Sequence, residues 1–367
     1  MNSSFEKYKI CLVSDQLAGG GAERCSAVLS QFFEKNNCNV HHVLVLDNIK
    51  YEFSGDVLNL GKLKKGAFNL HDRFHRFFIL YKFFRKNKFD FIIDTRVNSN
   101  QLQELIINKF IYNAPVIKVV HSYMIDLYFP KINFLSKYIY NKCYKIIAVS
   151  DGIKNIIISK YNFNQVQTLY NPIDLDYIEL KSKENLELNF QYVLAVGNMH
   201  NDVKQFDKLI KVYSKSELPN KNIKLVIIGE GILISSLKQL VLDIDLSNNI
   251  IFKGSLSNPF PYYEQALFTV LSSKNEGFPT VLLESLACET PVVAFDCLSG
   301  PSEIIVNRFN GLLVENQNEE QLTLALNEMV SNNELYLQCK KNAKPSVNQF
   351  ALNTIGAQWL KLFNKLN

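Results

Sequence analysis

The sequence predicts an α/β protein built from two doubly wound, Rossmann-like domains. Short apolar runs rich in Val and Ile alternate with helical patterns along residues 1–172, and the same alternation restarts at residue 192. Runs that are apolar on both faces are typical of parallel strands covered by helices. The polar interval 173–190 interrupts this rhythm and predicts a linker. A length of 367 residues also suggests about two domains.

The first half opens with the strand-like run "YKICLVSD", residues 8–15. The glycine cluster Gly19 to Gly21 follows, and then the helical pattern "AERCSAVLSQFFEKN". Strand, glycine turn and helix in this order open a βαβ unit. Further strands of the first half are predicted at residues 40–47, 89–94, 115–122 and 145–151.

The second half repeats the pattern. Its predicted strands are residues 192–198, 223–231, 250–254, 267–273 and 291–295. We therefore expect domains at residues 1–172 and 191–345, joined by the linker, and an amphipathic helix within residues 346–367 that packs back towards the first domain. Ligands of open α/β sheets bind at the carboxyl ends of the strands, so a cleft between two facing domains is the expected site.

Composition narrows the class of protein. The sequence contains no signal-peptide pattern and no apolar stretch of about 18 residues, so we expect neither secretion nor a membrane span. The seven cysteines are scattered without CxxC pairs, which indicates buried thiols in a reducing compartment. Residues 1–172 carry a net charge of +10 and residues 173–367 carry −5. A basic first half predicts an anionic partner, with nucleic acid and a membrane surface both open at this point.

Two glutamates stand out in the stretch "KNEGFPTVLLESLAC", residues 274–288. Glu276 lies in a loop after a predicted strand, and a helix is predicted to start near Thr280. The free N–H groups at a helix start favour an anion such as a diphosphate. Glu284, about one turn inside that helix, can accept two hydrogen bonds from a vicinal diol. Together, the loop glutamate, the anion site at the helix start and the second glutamate fit a nucleotide sugar. Each glutamate taken alone is more often solvated or only stabilises a helix dipole.

Residues 276–284, "EGFPTVLLE", resemble the E-x7-E signature of retaining glycosyltransferases of the GT-B fold, in particular glycosyltransferase family 4. The neighbouring motifs resemble the same family in order, and the resemblance covers nearly the whole chain. These motifs are "GGGAER" (19–24), "VVHS" (119–122), "AVSDGIK" (148–154), "YNPID" (170–174), "VLAVGN" (193–198) and the stretch from "PVVAF" to "NGLLV" (291–314).

The resemblance implies roles for individual residues. Glu276 would hold hydroxyls of the transferred sugar, Lys204 would neutralise the leaving diphosphate, and Glu284 would bind the ribose diol. His121 would reach the donor sugar and is counted with Glu276 and Lys204 as catalytic. The other implied donor-binding positions are Gly277, Phe278, Pro279, Thr280, Val281, Asn198, Gly300, Gly20 and Gly21.

Asn198 departs from the family pattern. An Arg usually precedes the lysine by six positions, and here that position holds Asn198. A charge-assisted hydrogen bond is roughly twice as strong as a neutral one. The leaving group would then depend on Lys204, the helix start, and Arg24 or another cation of the first domain.

No cofactor or metal is expected beyond the donor itself. The motifs "DLD" (174–176) and "DID" (243–245) mimic a metal-binding DxD, but one lies in the predicted linker and the other before a polar turn. The glycine cluster is not GxGxxG, which argues against NAD. In the family, retention is usually described as front-face attack, in which the leaving phosphate takes the proton of the acceptor. The resemblance therefore implies that the two glutamates are not the acid/base pair of a hydrolase.

The implied reaction moves a hexose or N-acetylhexosamine, with UDP as the expected nucleotide, to a glycan or lipid-linked glycan of a bacterial surface polysaccharide. Residues 62–89 mix nine Lys and Arg with many Phe, which indicates either contact with an anionic membrane or a helix with core aromatics. We expect a cytoplasmic protein, peripheral on the inner membrane face, and no nucleic acid, because no RNA-binding module is recognised. A nucleotide-sugar 2-epimerase and a non-catalytic membrane or nucleic-acid binder remain as alternatives.

Overall fold

The computed structural model of the chain describes residues 7–64, 70–97 and 100–364. These residues form two compact units. The first unit runs up to Pro172 and includes the chain from Leu352 onward, and the second spans Ile173–Ala351. Each unit is a parallel sheet covered by helices, so the predicted α/β class is confirmed.

The first unit is built on one parallel sheet. Among the described residues the sheet has seven strands in the order β3-β2-β1-β4-β5-β6-β7. The chain starts in the middle at β1 and winds outward in both directions, which defines a doubly wound fold. The strands are β1 (Tyr8–Ser14), β2 (Cys38–Leu44), β3 (Asp56–Asn59), β4 (Phe91–Asp94), β5 (Val116–Val120), β6 (Lys145–Ala148) and β7 (Val166–Thr168).

Helices connect these strands. They are α1 (Gly21–Lys35), α2 (Leu70–Lys86), α3 (Gln101–Ile106), α4 (Asn133–Tyr140) and α5 (Asp151–Tyr161), and a π-helical turn, Ile107–Ile111, continues α3. Side chains cap two of the helix starts: Asn100 accepts from Gln103 N, and Ser150 accepts from Ile153 N. Such caps satisfy backbone donors that have no partner within the helix.

The second unit has a parallel sheet in the order β10-β9-β8-β11-β12-β13 across its described residues. Its strands are β8 (Tyr192–Val196), β9 (Lys224–Ile228), β10 (Ile250–Gly254), β11 (Thr269–Leu271), β12 (Val292–Phe295) and β13 (Gly311–Val314). Its helices are α6 (Leu175–Ser182), α7 (Phe206–Lys215), α8 (Ile234–Asp243), α9 (Phe260–Gln265), α10 (Thr280–Ala287), α11 (Pro301–Ile304), α12 (Glu319–Ser331) and α13 (Asn333–Ser346).

The interval 173–190 differs from the expected linker. It belongs to the second unit, where α6 packs against α9 and α10. Asp174 caps α6 by accepting from Tyr177 N at 3.1 Å, and the Tyr177 ring meets Phe260 edge-on with 6.1 Å between ring centroids. The polar sequence of this interval reflects a short helix with only Ile178 and Ser182 buried, rather than an unstructured connection.

The C-terminal helix, α14 (Leu352–Phe363), packs on the first unit as predicted. Its Phe363 ring stacks on Phe91 of β4 with 4.6 Å between centroids, and its Trp359 meets Phe33 of α1 at 6.3 Å. The helix starts six residues later than the predicted segment 346–367, because α13 extends to Ser346.

Two sequence expectations can be compared directly with the described residues. All seven cysteines are free and buried, as the scattered spacing predicted. In the described ranges, every helix is too short or too polar to cross a membrane.

Gly356 allows α14 to approach α1 closely. A Cβ atom at this position would lie 2.4 Å from Cε1 of the buried Phe32 ring. We expect Gly356→Ala to lower the free energy of unfolding of the first unit by about 1–3 kcal/mol, as overpacking does in other cores. Fluorescence of Trp359, the single tryptophan, measured against denaturant reports this unfolding directly.

Gln358→Ala is the matched control, because Gln358 is exposed on the same helix. It should change the unfolding free energy by less than about 0.5 kcal/mol. An alanine at 356 that stabilises the unit, as it would in an exposed helix, would contradict the close packing.

Candidate active site

Lys204 and Glu276 form an ion pair at the carboxyl edge of the second sheet. Lys204 Nζ lies 2.6 Å from Glu276 Oε1. The two side chains are 17% and 12% exposed, so the pair is mostly withdrawn from water. Lys204 lies in the segment after β8 and Glu276 in the loop after β11, and these strands are neighbours in the sheet. The sequence prediction that both residues serve one site is therefore consistent with their contact.

Local backbone structure holds Lys204 in place. A single 3₁₀ turn, Asp202–Lys204, starts at Asn201, whose side chain accepts from Val203 N. The Lys204 stem passes over Gly197, where a Cβ atom would come within 3.1 Å of Lys204 Cγ. The Ser272 hydroxyl donates to the Lys204 carbonyl at 2.8 Å, which ties this turn to the end of β11. The sequence analysis did not single out Gly197 or Ser272.

Gly300 packs directly against the loop after Glu276. Its φ is +101°, a conformation that disfavours other residues, and a Cβ atom there would lie 2.5 Å from Pro279 Cδ. The adjacent Ser299 hydroxyl donates to the Gly277 carbonyl at 2.8 Å, and Glu276 N donates to the Leu298 carbonyl at 3.1 Å. The loops after β11 and β12 therefore fix each other, and the structure brings Gly300 together with Gly277 and Pro279.

Helix α10 begins at Thr280, directly after this loop. Pro279 occupies the N-cap position, and its side chain cannot accept a hydrogen bond from the helix N–H groups. The amides of Thr280 and Val281 thus start a helix that lacks a side-chain cap. The buried Phe278 ring fixes the loop by packing against the Phe350 ring, with 5.3 Å between ring centroids.

Glu284 lies one turn into α10 and is 6% exposed. Its carboxylate accepts a hydrogen bond from the Tyr263 hydroxyl at 3.1 Å. A carboxylate held this way keeps acceptor capacity on its other lone pairs. Tyr263 was missed by the sequence analysis, because nothing in "PYYEQ" distinguishes an aromatic that orients a carboxylate from one that only fills the core.

Asn198 is exposed and lies two residues beyond the end of β8. Position 198 thus presents a neutral amide at the same sheet edge from which Lys204 extends.

His121 belongs to the first unit and directly follows β5. Burial and the positive charge of Lys118 lower the pKa of its imidazole to about 4, although the Asn171 side chain partly opposes this shift. Among the described residues neither ring nitrogen makes a hydrogen bond of normal geometry. A neutral imidazole can donate from one nitrogen and accept at the other, which suits a sugar hydroxyl.

Gly20 and Gly21 form the start of α1 in the first unit. Gly20 is the N-cap residue with extended backbone, and Gly21 is the first helical residue. The glycine whose conformation requires the absence of a side chain is Gly19, with φ of +91°. Gly20 and Gly21 are half-buried, and a Cβ atom at Gly20 would lie 2.6 Å from Glu23 Oε2.

A buried charge cluster joins the end of β4 to the middle of β5. Arg96 contacts Asp94 at 2.7 Å and Glu104 at 3.2 Å, and Lys118 contacts Asp94 at 3.3 Å. Burial alone would raise the pKa of Asp94, but Arg96 and Lys118 hold it below its usual range. The sequence analysis missed this cluster, although a lysine inside the apolar strand "VIKVV" was a usable signal.

Across residues 7–64, 70–97 and 100–364, no group of three or more His, Cys, Asp or Glu side chains is arranged to hold a metal ion. The site in the second unit offers the Lys204 cation, the amides at the start of α10, and the carboxylates of Glu276 and Glu284. A cation and helix amides suit a diphosphate, and carboxylates suit hydroxyl groups.

Comparison with protein families places the chain in a known class. The model described as "Glycosyltransferase Family 4" matches residues 19–177, and the model described as "Glycosyl transferases group 1" matches residues 176–345. Together they account for most of both units. The chain belongs to glycosyltransferase family 4 and has the GT-B fold, and it is a glycosyltransferase.

Individual relatives agree with this assignment. The chain is 29% identical over 360 residues to N-acetylgalactosamine-N,N'-diacetylbacillosaminyl-diphospho-undecaprenol 4-alpha-N-acetylgalactosaminyltransferase of Campylobacter jejuni, covering 94% of this chain and 96% of that protein. It is 27% identical to a second enzyme of that organism, GalNAc-alpha-(1->4)-GalNAc-alpha-(1->3)-diNAcBac-PP-undecaprenol alpha-1,4-N-acetyl-D-galactosaminyltransferase, covering 96% and 98%. In fold it is similar to Anabaena Alr3699/HepE in complex with UDP and glucose, with a TM-score of 0.78, 16% identity and coverage of 97% and 99%.

The contact between Gly300 and the loop after Glu276 can be tested. In Gly300→Ala the new methyl group would collide with Pro279 and displace the loop, so glycosyl transfer should fall on the order of 10²-fold. Gly254→Ala is the matched control, because Gly254 also has a positive φ but a Cβ atom there would have nothing within 4 Å.

Turnover and thermal unfolding are measured for both variants. We expect Gly300→Ala and Gly254→Ala to lose similar amounts of stability, and only Gly300→Ala to lose turnover. Equal turnover in the two variants would show that the packing of Gly300 is irrelevant to the reaction.

Proposed function

We propose that this protein is a retaining, metal-independent glycosyltransferase that moves a hexose or N-acetylhexosamine from a UDP-sugar. The acceptor is a lipid-linked or saccharide chain of a bacterial surface polysaccharide. The observation that carries the proposal is the 2.6 Å contact between Lys204 and Glu276 beside the uncapped start of α10. It combines a cation, free helix amides and a carboxylate within one loop system.

The diphosphate of the donor binds Lys204 and the amides at Thr280 and Val281. Both partners are favourable for an anion, one through its charge and the other through the helix dipole. Lys204 is already close to the loop through its contact with Glu276. Asn198 adds a neutral hydrogen bond where relatives in the family have an arginine. Gly277, Phe278, Pro279 and Gly300 shape the backbone around the phosphates.

Glu276 and Glu284 bind hydroxyl groups at the two ends of the donor. Glu276 exchanges its contact with Lys204 for hydroxyls of the transferred sugar. Glu284, oriented by Tyr263, accepts from the ribose diol. Each carboxylate accepts hydrogen bonds from hydroxyl groups in addition to, or in exchange for, the protein contact that orients it.

The first unit supplies His121 and the glycines of α1. His121 is neutral at pH 7, because its pKa is lowered to about 4, and it contacts the donor sugar as a hydrogen-bonding group rather than as a cation. The family resemblance assigns the backbone of Gly20 and Gly21 to phosphate groups, and both residues are half-buried.

Chemistry proceeds by front-face displacement. The bond from the anomeric carbon to the phosphate oxygen breaks as the bond to the acceptor oxygen forms on the same face, and the departing phosphate oxygen takes the acceptor proton. The protein contributes position and electrostatic stabilisation of the departing diphosphate. Lys204 and the start of α10 fulfil the role that a metal ion has in other transferases.

The names of the relatives support this choice of substrates. The two Campylobacter enzymes are named for transfer of N-acetylgalactosamine to sugars on diphospho-undecaprenol. The Anabaena protein was crystallised with UDP and glucose. We assign the same chemical classes to this chain, with N-acetylgalactosamine among the donor sugars to be tested first.

The outer face of α2 supports attachment to an anionic membrane surface. Phe74, Phe78 and Tyr81 are 73%, 54% and 41% exposed on this helix. Lys82 lies 4.4 Å above the Phe78 ring and Arg85 lies 4.9 Å above Tyr81. Aromatic rings flanked by cations favour the interface of a bilayer with anionic lipids.

Residues 65–69 of the predicted membrane segment lie outside the described part. The enzyme would thus act at the cytoplasmic face of the membrane, without nucleic acid as a partner.

A panel of nucleotide sugars tests the donor and the metal requirement together. UDP-N-acetylgalactosamine, UDP-N-acetylglucosamine, UDP-galactose and UDP-glucose are assayed for hydrolysis and transfer, each with and without EDTA. We expect turnover of at least one UDP-sugar, unchanged by EDTA and with the anomeric configuration retained by NMR. Loss of turnover in EDTA, or an inverted product, would contradict the mechanism.

Lys204→Ala tests neutralisation of the diphosphate. We expect turnover to fall on the order of 10²–10³-fold, because one stabilising donor at the developing charge is removed. Lys208→Ala is the matched control, since Lys208 contacts Gln317 at 2.7 Å and Glu319 at 4.0 Å instead. Steady-state kinetics that do not distinguish the two variants would refute the role of Lys204.

A further inference from the structure

Ser273 lies just beyond β11, before the loop that carries Glu276. The residue is 1% exposed, and its hydroxyl oxygen has no hydrogen-bond partner among the described residues. The adjacent Ser272 is also buried, but its hydroxyl donates to the Lys204 carbonyl at 2.8 Å. A buried hydroxyl without a partner costs free energy. Ser273 therefore differs from its neighbour in having a hydrogen bond still to make.

Glu276 has the opposite requirement once a donor is bound. In the ligand-free structure its carboxylate contacts Lys204 Nζ at 2.6 Å. In the proposed function Lys204 binds the diphosphate, so Glu276 loses the one cation that it contacts in the described part of the chain. A carboxylate that is only 12% exposed needs hydrogen-bond donors in place of that cation. Sugar hydroxyls supply some of them, but they do not fix the carboxylate relative to the protein.

The second glutamate of the site shows the support that Glu276 lacks. Glu284 accepts a hydrogen bond from the buried Tyr263 hydroxyl at 3.1 Å, so its orientation does not depend on a ligand. Across the described residues, Glu276 accepts from no hydroxyl and the Ser273 hydroxyl has no acceptor. The two residues thus have complementary needs, one for a donor and the other for an acceptor.

Ser273 and Glu276 are also close along the chain. They are the first and last residues of "SKNE" (273–276), so their Cα atoms lie at most about 11 Å apart. In capping boxes at helix starts, serine and glutamate side chains at this spacing reach across the same three positions. The intervening backbone is fixed, because Lys274 N donates to the Val203 carbonyl at 2.8 Å and Glu276 N to the Leu298 carbonyl at 3.1 Å.

We propose that Ser273 is a positioning residue for glycosyl transfer. Its hydroxyl donates to the Glu276 carboxylate once the donor has taken Lys204, and it thereby orients that carboxylate towards hydroxyls of the transferred sugar. The inference rests on the proposed function, because a diphosphate must draw Lys204 away. Since the backbone of the loop is held at both ends, the Glu276 side chain makes the change of partner.

Thermal unfolding of the ligand-free protein gives the first test. Ser273→Ala removes an unpaired hydroxyl, so we expect the melting temperature to rise by about 2–4 °C. Ser272→Ala is the matched control, because it removes a hydroxyl that is hydrogen-bonded, and its melting temperature should fall. An unchanged or lower melting temperature in Ser273→Ala would show that the hydroxyl already has a partner and would overturn the proposal.

Donor binding gives the second test. Calorimetry measures the affinity for UDP-N-acetylgalactosamine, or for whichever UDP-sugar of the panel above is turned over. The samples are the natural chain, Ser273→Ala, Glu276→Ala and the double variant. We expect Ser273→Ala to weaken binding on the order of tenfold, the usual effect of one charge-assisted hydrogen bond.

The double variant separates positioning from a purely structural role. In the Glu276→Ala background, Ser273→Ala should change donor affinity by less than about twofold, because the carboxylate that the hydroxyl would meet is gone. The rise in melting temperature should be the same in both backgrounds, because the two side chains make no contact in the ligand-free protein.

Two binding results would overturn the proposal. Unchanged donor affinity in Ser273→Ala would leave the hydroxyl without a part in donor binding, and an equal loss in both backgrounds would show that it acts on a group other than Glu276. Either result leaves the proposed function intact if the natural chain binds and turns over the UDP-sugar. A natural chain that binds no UDP-sugar of the panel refutes the proposed function, and the inference with it.

Discussion

The ion pair between Lys204 and Glu276 is the contact on which the arrangement of the second unit's site depends. It joins the segments that follow β8 and β11, two strands whose carboxyl ends are adjacent. The pair is mostly buried, so each charge needs the other while no ligand is present. Ser272 from one side and the loop of Gly300 from the other then fix the backbone around it.

The same pair has a consequence for donor binding. In the proposed binding mode, a diphosphate brings negative charge to Lys204 and the sugar brings hydroxyls to Glu276, so each member of the pair would gain a new partner. The internal contact is exchanged for two external ones, and no charge is left buried alone. Because Asn198 is neutral, it does not share the charge of the diphosphate with Lys204. The helix start at Thr280 and Val281 would then carry a larger share of the electrostatic stabilisation. Its partial positive charge is fixed and needs no reorganisation.

The sequence allowed long buried elements to be predicted and missed those with little hydrophobic signal. The predicted strand 8–15 corresponds to β1 (Tyr8–Ser14), in which six of the seven residues are buried. Strand β3 was missed, since "DVLN" lies at the sheet edge and its first two residues are exposed. Strand β7 has only three residues, too few for a period. Helix α6 was taken for linker because its buried face contains only two residues.

The candidate site divides in the same way. Glu276, Glu284 and Lys204 could be singled out as candidates because their motifs have a recognisable spacing along the chain. The contacts of Tyr263 with Glu284, and of Arg96 with Glu104, join residues that only the fold brings together. Charge alone therefore did not identify ligand sites. Arg96 just after β4 and Lys118 within β5 are buried cations, yet Asp94 and Glu104 already neutralise them. A cation near a strand end is therefore a ligand candidate only where the fold gives it no carboxylate partner, and Arg96 and Lys118 do not meet that condition.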